Sequence, residues 1–299
     1  IRSYGIDGFL KALLKKLQST IDRRQMVKTL MNNDFKVKFI HEGNIEITLP
    51  KFSYLEAILN LKNNPNKVYN YISRPIKEAL LRKIVFNLYQ TGYLKRNKYI
   101  IDIGCWIADN ALVWAKLINE DSRVYAIDPS NENLIFGKKL AELNNINNIE
   151  WIEAVCSDSN GDSLEYNGKI DHAKFYETKK LTNKSLKSNK LDDLVNKRDI
   201  NNIGLLHLDV EGFEFKVLKG SKEIVDQSRP VIIFEQHISK YDVYEIINYL
   251  KNKNYKIYMI NEVLRGSMPD CRNFIAFDND RKTIIKNQKK ENDRDNGIY

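Results

Sequence analysis

The sequence has few of the residues that mark several common classes of protein. It contains only three cysteines, Cys105, Cys156 and Cys271, and their spacing fits neither a disulfide framework nor a zinc site. The four histidines are scattered, so no His/Cys cluster for zinc is present. Since unpaired thiols suit a reducing compartment, we expect a cytoplasmic protein.

Long apolar runs are also missing. No stretch reaches the roughly 20 apolar residues that span a bilayer, so no transmembrane segment is expected. Hydrophobic residues still make up 42% of the 299 residues, which is enough for a full core. The net charge of +9 permits an acidic partner such as nucleic acid, but lysine is spread along the chain, so the charge does not favour one.

The sequence is organised around the stretch 99–129. Residues 99–103 form an apolar, β-branched run, which is typical of a strand buried on both faces. Gly104 then permits a sharp turn and the close approach of a ligand. Asp109 is expected to cap a helix, and a second strand ends in Asp128-Pro129. This pattern predicts a β-α-β unit whose ligand crevice lies beyond the carboxyl ends of the strands.

The acid at the end of the second strand indicates the kind of ligand. A carboxylate at Asp128 can accept both hydroxyl protons of a ribose. The turn lacks the glycines of G-x-G-x-x-G that admit a pyrophosphate, because Cys105, Trp106 and Ala108 follow Gly104. The pattern therefore favours a nucleoside without phosphates, such as S-adenosylmethionine (SAM), over NAD. The alternative is an α/β domain that binds no nucleotide.

Apolar periodicity predicts the other elements. We expect helices over 6–31, 52–61, 75–89, 133–144 and 241–252, a β-hairpin over 35–49, strands over 149–155, 203–210 and 231–237, and a closing strand pair at 255–260 and 274–277. Residues 157–190 are predicted to be a loop with a weak strand at 172–176. The alternation of strands and helices implies a doubly wound, largely parallel sheet.

Acidic residues end successive strands of this predicted sheet. Each one alone can be a helix cap, but carboxylates gathered at one edge are costly unless they bind something. The residues are Asp102, Asp128, Asp158, Asp209, Glu211 and Glu235.

Six segments carry a resemblance to a known family: I-D-I-G-C (101–105), V-Y-A-I-D-P (124–129), L-D-D-L (191–194), L-D-V-E-G-F-E-F-K-V-L-K-G (208–220), R-P-V-I-I-F-E-Q-H (229–237) and C-R-N-F-I-A-F (271–277). With them the chain resembles the FkbM family of class I SAM-dependent methyltransferases, over residues 98–278. The D-V-E-G-x-E segment is the specific one.

The resemblance implies a Rossmann-like, mostly parallel seven-stranded sheet. We expect a methyltransferase domain at 96–278, preceded by a helical and β-hairpin extension at 1–95 and followed by a charged, flexible tail at 279–299. The sequence departs from the family's D-x-G-A-N-x-G motif, since Cys105, Trp106 and Ala108 replace Ala, Asn and the last Gly. Trp106 either stacks on a ligand or packs, and Ala108 is small enough for close helix packing.

The same resemblance implies where SAM would bind. Gly104 and Cys105 would lie under its methionine portion, Asp128 would hold the ribose hydroxyls, and Asp158 would accept from the adenine amine. The predicted cofactor-binding residues are Asp102, Gly104, Cys105, Trp106, Asp128, Pro129, Cys156, Ser157, Asp158 and Asp209.

Family members are mostly O-methyltransferases, so the expected acceptor is a hydroxyl of a sugar, a glycan or a small metabolite. His237 is our first choice of general base, since the ordinary pKa of histidine is near 6.5; the alternative is a cap or surface histidine. Asp209, Glu211 and Glu235 complete the predicted catalytic set. Asp209 with Glu211 can alternatively hold a divalent cation, although no metal site is indicated. His207 is expected to be a core histidine.

Two other functions compete with this one. An RNA ribose 2′-O-methyltransferase uses a Lys-Asp-Lys-Glu tetrad, to which Asp209 and Glu235 can supply the acids. However, the sequence lacks the basic, aromatic-rich groove that single strands need. The second is a degenerate, non-catalytic scaffold that binds partners through residues 1–95, which the altered turn at Trp106 and Ala108 motivates.

Overall fold

The computed structural model describes residues 37–41, 45–49, 78–167, 174–177, 185–237, 243–260 and 271–281. The chain divides into two compact units, Ile1–Ile40 with Glu46–Lys77, and His41–Ile45 with Glu78–Tyr299. Strands β1 (Val37–His41) and β2 (Ile45–Leu49) form a two-stranded sheet, as the alternating pattern predicts. The predicted helices over 6–31 and 52–61, and the tail after residue 281, lie outside the described residues.

Seven helices and eleven further strands are described from residue 78 onward. The helices are α1 (Ala79–Gln90), α2 (Asp109–Ala115), α3 (Asn131–Leu143), α4 (Leu191–Leu194), α5 (Glu214–Lys219), α6 (Lys222–Ser228) and α7 (Val243–Asn252). The strands are β3 (Tyr99–Ile103), β4 (Val124–Asp128), β5 (Ile149–Glu153), β6 (Val155–Cys156), β7 (Ser163–Asn167), β8 (Lys174–Glu177), β9 (Ser185–Asn189), β10 (Ile203–Leu208), β11 (Val231–His237), β12 (Tyr255–Ile260) and β13 (Cys271–Asp278).

The large sheet has seven strands in the order β12-β13-β11-β10-β3-β4-β5. The neighbours from β11 to β5 are parallel, and β13 runs antiparallel to both β11 and β12. The predicted doubly wound, mostly parallel seven-stranded sheet is therefore confirmed. The parallel strands β3 and β10 lie side by side in its middle, so their carboxyl ends open at the same edge.

The two faces of the sheet differ in what they bury. Ile101 of β3, Leu206 of β10 and Phe234 of β11 belong to one apolar cluster with residues of α4–α7. Because side chains alternate along a strand, their neighbours Asp102 and His207 lie on the opposite face. The polar residues of the site thus share one face, while the apolar cluster occupies the other.

The region 157–190 was predicted to be a loop with a weak strand at 172–176. That strand is present as β8, but the region also contributes β7 and β9, and the three form a second sheet with β6 in the order β6-β9-β7-β8. The predicted strand over 149–155 is also divided, since β5 ends at Glu153 and β6 pairs with β9. Among the β7 side chains whose burial is described, Leu164 is buried, and it lies opposite Leu186 of β9. A strand with so few apolar positions carries little of the alternation that identifies strands.

No helix in the described part of the chain combines the length and the apolar character needed to cross a membrane. The helix predicted over 75–89 is described from Ala79, as α1, and it precedes the central strand β3 as expected.

Candidate active site

The carboxyl ends of the parallel strands gather most of the predicted acids at one edge. Asp102 lies within β3, Asp128 ends β4, and Glu235 lies within β11. Asp209 directly follows β10, where its N–H donates to the carbonyl of Ile103 at 3.0 Å. The crevice predicted from the β-α-β pattern therefore has an acidic rim.

The turn after β3 is built on Gly104, whose φ is +74°. Its N–H donates to the carbonyl oxygen of Ile127 at 2.8 Å, which ties the turn to the end of β4. A Cβ at this position would lie 1.8 Å from the carbonyl oxygen of Asp209. The predicted sharp turn is thus present, and the close neighbour that requires glycine is the backbone of the loop after β10.

Two more residues of this turn adopt left-handed backbone conformations. Trp106 has φ 50° and Ala108 has φ 64°. Ala108 is the N-cap of α2 and Asp109 is its first helical residue, so the expectation that Asp109 caps the helix was wrong. Ala108 stands where the family has its last glycine, and its φ lies in the left-handed region that glycine adopts readily.

Asp128 holds this turn in place. One of its carboxylate oxygens accepts from the N–H of Trp106 at 2.9 Å, and the other from the N–H of Ser130 at 2.8 Å and Nδ2 of Asn133 at 3.1 Å. Burial raises the pKa of Asp128 to about 6, against the effect of these hydrogen bonds. A carboxylate has about four acceptor sites, so Asp128, 6% exposed, retains room for one further donor.

The residues predicted around the adenine lie after β6. Cys156 and Ser157 are buried, and burial raises the pKa of the Cys156 thiol to about 12. Ser157 Oγ donates to Asp158 Oδ1 at 3.2 Å, and Lys219 Nζ lies 2.6 Å from Asp158 Oδ2. Although partial burial opposes it, the Lys219 ammonium lowers the pKa of Asp158. The side chain of Cys105, in the first turn, is buried as well, and its raised pKa keeps the thiol protonated.

Glu214 holds the loop after β10, and the sequence interpretation missed it. Its Oε1 accepts from the N–H groups of Val210 at 3.1 Å and Gly212 at 3.2 Å, and Oε2 accepts from Gln236 Nε2 at 2.6 Å. It is 2% exposed, and burial raises its pKa to about 7. Glu214 is the third acid of D-V-E-G-F-E, three residues after Glu211. Its place in the first turn of a helix was the available signal.

The predicted catalytic residues form two groups. His237 is buried, and its Nε2 lies 3.5 Å from Glu211 Oε2. Asp209 and Glu235 instead lie with Glu78, and the three offer carboxylate oxygens within 4.8 Å of one another. Glu78 precedes α1 and belongs to no motif, so no signal in the sequence pointed to it. The suggested pairing of Asp209 with Glu211 for a divalent cation does not appear in that acidic group.

The lysines after Asp209 have other contacts. Lys219 pairs with Asp158 and lies over the ring of Phe215 at 5.1 Å, while Lys216 lies over the ring of Phe213 at 5.2 Å. These contacts fit lysines on a helix surface better than members of a Lys-Asp-Lys-Glu tetrad.

The chain is similar to one protein family and to several solved structures. The methyltransferase FkbM domain matches residues 102–257, just over half of the chain. A solved FkbM methyltransferase from Methylobacillus flagellatus KT is 15% identical with a TM-score of 0.44, over 61% of this chain and 44% of that one. The precorrin-6y C5,15-methyltransferase of Geobacter metallireducens GS-15 is 11% identical with a TM-score of 0.43, over 67% of this chain and 88% of that one.

A SAM-dependent methyltransferase from Aquifex aeolicus is 13% identical with a TM-score of 0.39, over 65% of this chain and 88% of that one. No curated protein matches the sequence.

The match of the FkbM domain covers the first turn, Asp128 and the D-V-E-G-F-E segment, which are the parts that build the crevice. With its Rossmann-like class I methyltransferase fold, the chain belongs to the FkbM family of methyltransferases.

Proposed function

We propose that the protein is a SAM-dependent O-methyltransferase that acts on a hydroxyl of a sugar, a glycan or a small metabolite. The observation that carries the proposal is the membership of the FkbM family, together with an acid, Asp128, at the end of β4 beside the glycine turn. The chain spans only 44% of the length of the solved FkbM protein, so the complete activity is part of the proposal.

The chemistry of the crevice fits SAM. The ribose hydroxyls, the adenine amine and the methionine ammonium are all hydrogen-bond donors, and the rim of the crevice consists largely of acceptors. Asp128 has room for one further donor, and Oδ2 of the buried Asp102 has no hydrogen-bond partner among the described residues. The sulfonium cation also suits a crevice lined by Asp209 and Glu235.

The first turn supports a cofactor site rather than a degenerate one. Ala108 keeps the left-handed φ of 64° although it lacks the freedom of glycine. Trp106 has lost the polar side chain of the family motif, but its N–H still binds Asp128. At both departures that motivated a scaffold function, the turn thus has features that support a binding site.

When bound, SAM supplies an activated methyl group, so the protein mainly has to align the acceptor and take up its proton. We assign the proton to His237. His237 Nε2 lies 3.5 Å from Glu211 Oε2, and the imidazole would take up the proton that the acceptor hydroxyl loses. Glu211 would fix the tautomer of the ring and stabilise the imidazolium that forms.

The test is transfer of a radiolabelled methyl group from SAM to separate panels of sugars, glycans, small metabolites and RNA. We expect an O-methylated product from one of the first three. His237→Gln should lower kcat about 10²–10⁴-fold, as expected for loss of a general base. Glu211→Gln should lower it less, and the exposed Glu132→Gln of α3 should leave it unchanged.

Two results would contradict the proposal. Transfer only to RNA, with an affinity that falls steeply with salt, would instead indicate the ribose 2′-O-methyltransferase. No transfer to any panel, without SAM binding, would indicate a non-catalytic scaffold.

A further inference from the structure

Two separate parts of the chain bring the proposed base and its acidic partner together. His237 is the last residue of β11, Glu211 lies in the loop after β10, and His237 Nε2 is 3.5 Å from Glu211 Oε2. The parallel register of β10 with β11 runs to Leu208 and Phe234, so both residues lie beyond it. Their contact therefore depends on what holds the loop against the end of β11.

The loop half of this contact is held by Glu214. Its Oε1 accepts from the N–H groups of Val210 at 3.1 Å and Gly212 at 3.2 Å, the residues on either side of Glu211. Glu211 has a left-handed φ of 51°, which costs an L-residue energy and persists only where the surroundings enforce it. Glu214 thus holds Glu211 in the conformation in which it contacts His237.

The strand half is held by the second oxygen of the same carboxylate. Oε2 of Glu214 accepts from Nε2 of Gln236 at 2.6 Å, and Gln236 directly precedes His237 in β11. Both Glu214 and Gln236 are buried, so water competes little for this bond. Because side chains alternate along a strand, Gln236 lies on the face opposite to His237. The carboxylate therefore acts from behind the sheet.

We infer that Glu214 is a positioning residue for the proposed base, because it sets the distance between Glu211 and His237 through the loop and through Gln236. The catalytic meaning of this inference rests on the proposed function, whereas the positioning itself is a property of the fold. A displacement of about 1 Å in an aligned group can lower a rate about 10²-fold, so such a residue influences catalysis without a ligand contact of its own.

Asp192 of α4 is a matched carboxylate that holds a different part of the fold. It is buried, and its two oxygens accept from the N–H groups of Glu223 at 2.8 Å and Ile224 at 3.1 Å. These bonds hold the start of α6 rather than the loop after β10. Like Glu214, Asp192 satisfies two backbone N–H groups from a buried position, so Asp192→Ala is the control for a purely structural loss.

The test follows the ring of His237 by NMR in full-length protein labelled with ¹³C-histidine, without SAM or acceptor. The Cε1–H signal is assigned by its loss in His237→Gln, and Glu211→Gln defines the change in chemical shift when the charged partner is removed. We expect Glu214→Ala to move the signal in the same direction by at least half as much, and Asp192→Ala to leave it in place. No movement in Glu214→Ala, or equal movement in the two alanine variants, would overturn the inference.

Two conservative variants keep the test decisive if Glu214→Ala fails to fold. Glu214→Gln keeps the length and a carbonyl oxygen for the two N–H groups, and Gln236 can turn its amide to accept from it, so the signal should stay near that of the wild type. Glu214→Asp is one methylene shorter and cannot reach the loop and Gln236 together, so the signal should move toward that of Glu211→Gln. The reverse order of the two variants would overturn the inference.

Kinetics separates this inference from the proposed function. With an acceptor found in the panels, Glu214→Ala should lower kcat about 10–10²-fold at a temperature at which it is folded, whereas Asp192→Ala should leave kcat close to that of the wild type. Equal losses in the two variants would contradict the positioning role and leave the proposed function standing. If no panel yields a product, only the proposed function fails, because the NMR comparison needs no acceptor.

Discussion

The loops after β3 and β10 are alike in two respects, an unusual backbone conformation and a carboxylate that stabilises it. Each passes through left-handed backbone conformations, at Gly104 and Ala108 in the first and at Glu211 and Gly212 in the second. Each is also held by a buried carboxylate that accepts backbone N–H groups. Asp128 does this for the first loop and Glu214 for the second.

The two carboxylates differ in where they come from. Asp128 ends the neighbouring strand, so it lies on the rim of the crevice while it holds the turn. Glu214 lies on α5 with Gln236, on the face of the sheet opposite to Asp102 and His207. A carboxylate that holds a loop can thus also be a ligand site, but only when it lies at the crevice. We therefore propose a binding role for Asp128, whereas the contacts of Glu214 are structural.

The largest expected effect is that of Gly104→Ala. Its Cβ would lie 1.8 Å from the carbonyl oxygen of Asp209, so the two loops have to separate. The left-handed φ adds roughly 1–2 kcal/mol for an L-residue. We expect a loss of more than about 3 kcal/mol in the free energy of unfolding, measured by urea denaturation. A loss below about 1 kcal/mol would show that the loops do not touch as described.

Glu214→Ala should come next. It leaves the part-buried N–H groups of Val210 and Gly212 without this acceptor, at about 1–3 kcal/mol for each, while the amide of Gln236 keeps the carbonyl oxygen of Glu235 as a second acceptor. We expect a loss of about 3 kcal/mol in the free energy of unfolding. The matched control is Glu223→Ala on α6, whose half-exposed pair with Lys197 should be worth less than about 1 kcal/mol. Equal losses would contradict the structural role of Glu214.

The pH dependence of SAM binding tests the binding role of Asp128, a role that Glu214 does not share. With its pKa raised to about 6, Asp128 is mostly neutral at pH 5 and charged at pH 7. Ribose hydroxyls donate to the charged form, so SAM affinity should rise with pH below 6, by up to about tenfold per unit. Calorimetry between pH 5 and pH 7 measures this rise, and Asp128→Asn should remove it. An affinity that falls over this range would contradict a ribose contact at Asp128.

The smallest expected effect is that of Ala108→Gly. The change relieves the strain of a left-handed alanine, but it also frees the unfolded chain and removes a buried methyl group. These effects oppose each other, so the free energy of unfolding should change by less than about 1 kcal/mol. Gly104→Ala changes a residue with a left-handed φ in the same turn, but it also brings a Cβ against the backbone of Asp209. Comparison of the two variants therefore separates the cost of the left-handed conformation from the cost of that contact. A loss above about 2 kcal/mol would show that Ala108 packs better than glycine can.

The sheet and much of its acidic rim were predictable from the sequence, because parallel strands buried on both faces consist of consecutive apolar residues. Tyr99–Ile103 is such a run, and its boundaries agree with the structure. Asp128 was predictable for the same reason, since it directly follows a run of that kind. The sequence around a residue is enough to predict its position when that position depends only on the strand to which it belongs.

The remaining features depend on contacts between distant parts of the chain. Glu78 reaches the rim through Asn110, 32 residues later, and nothing in its own neighbourhood marks it. His207 was expected in the core, and it is buried, but its pairing with Asp102 requires the register of β10 on β3. The second sheet was missed because β7 and β9 present few apolar side chains. The predicted roles of the site residues, His237, Asp158 and Asp128 among them, stay predictions.

The most direct test of the account is calorimetric titration of the protein with SAM and with its demethylated product, S-adenosylhomocysteine. Wild type, Asp128→Asn and the control Glu153→Gln are compared after thermal unfolding has shown that all three fold. The account predicts binding to the wild type and the control, and affinity at least tenfold weaker in Asp128→Asn. Absence of binding at millimolar ligand, or equal affinity in all three proteins, would contradict a SAM site at the end of β4.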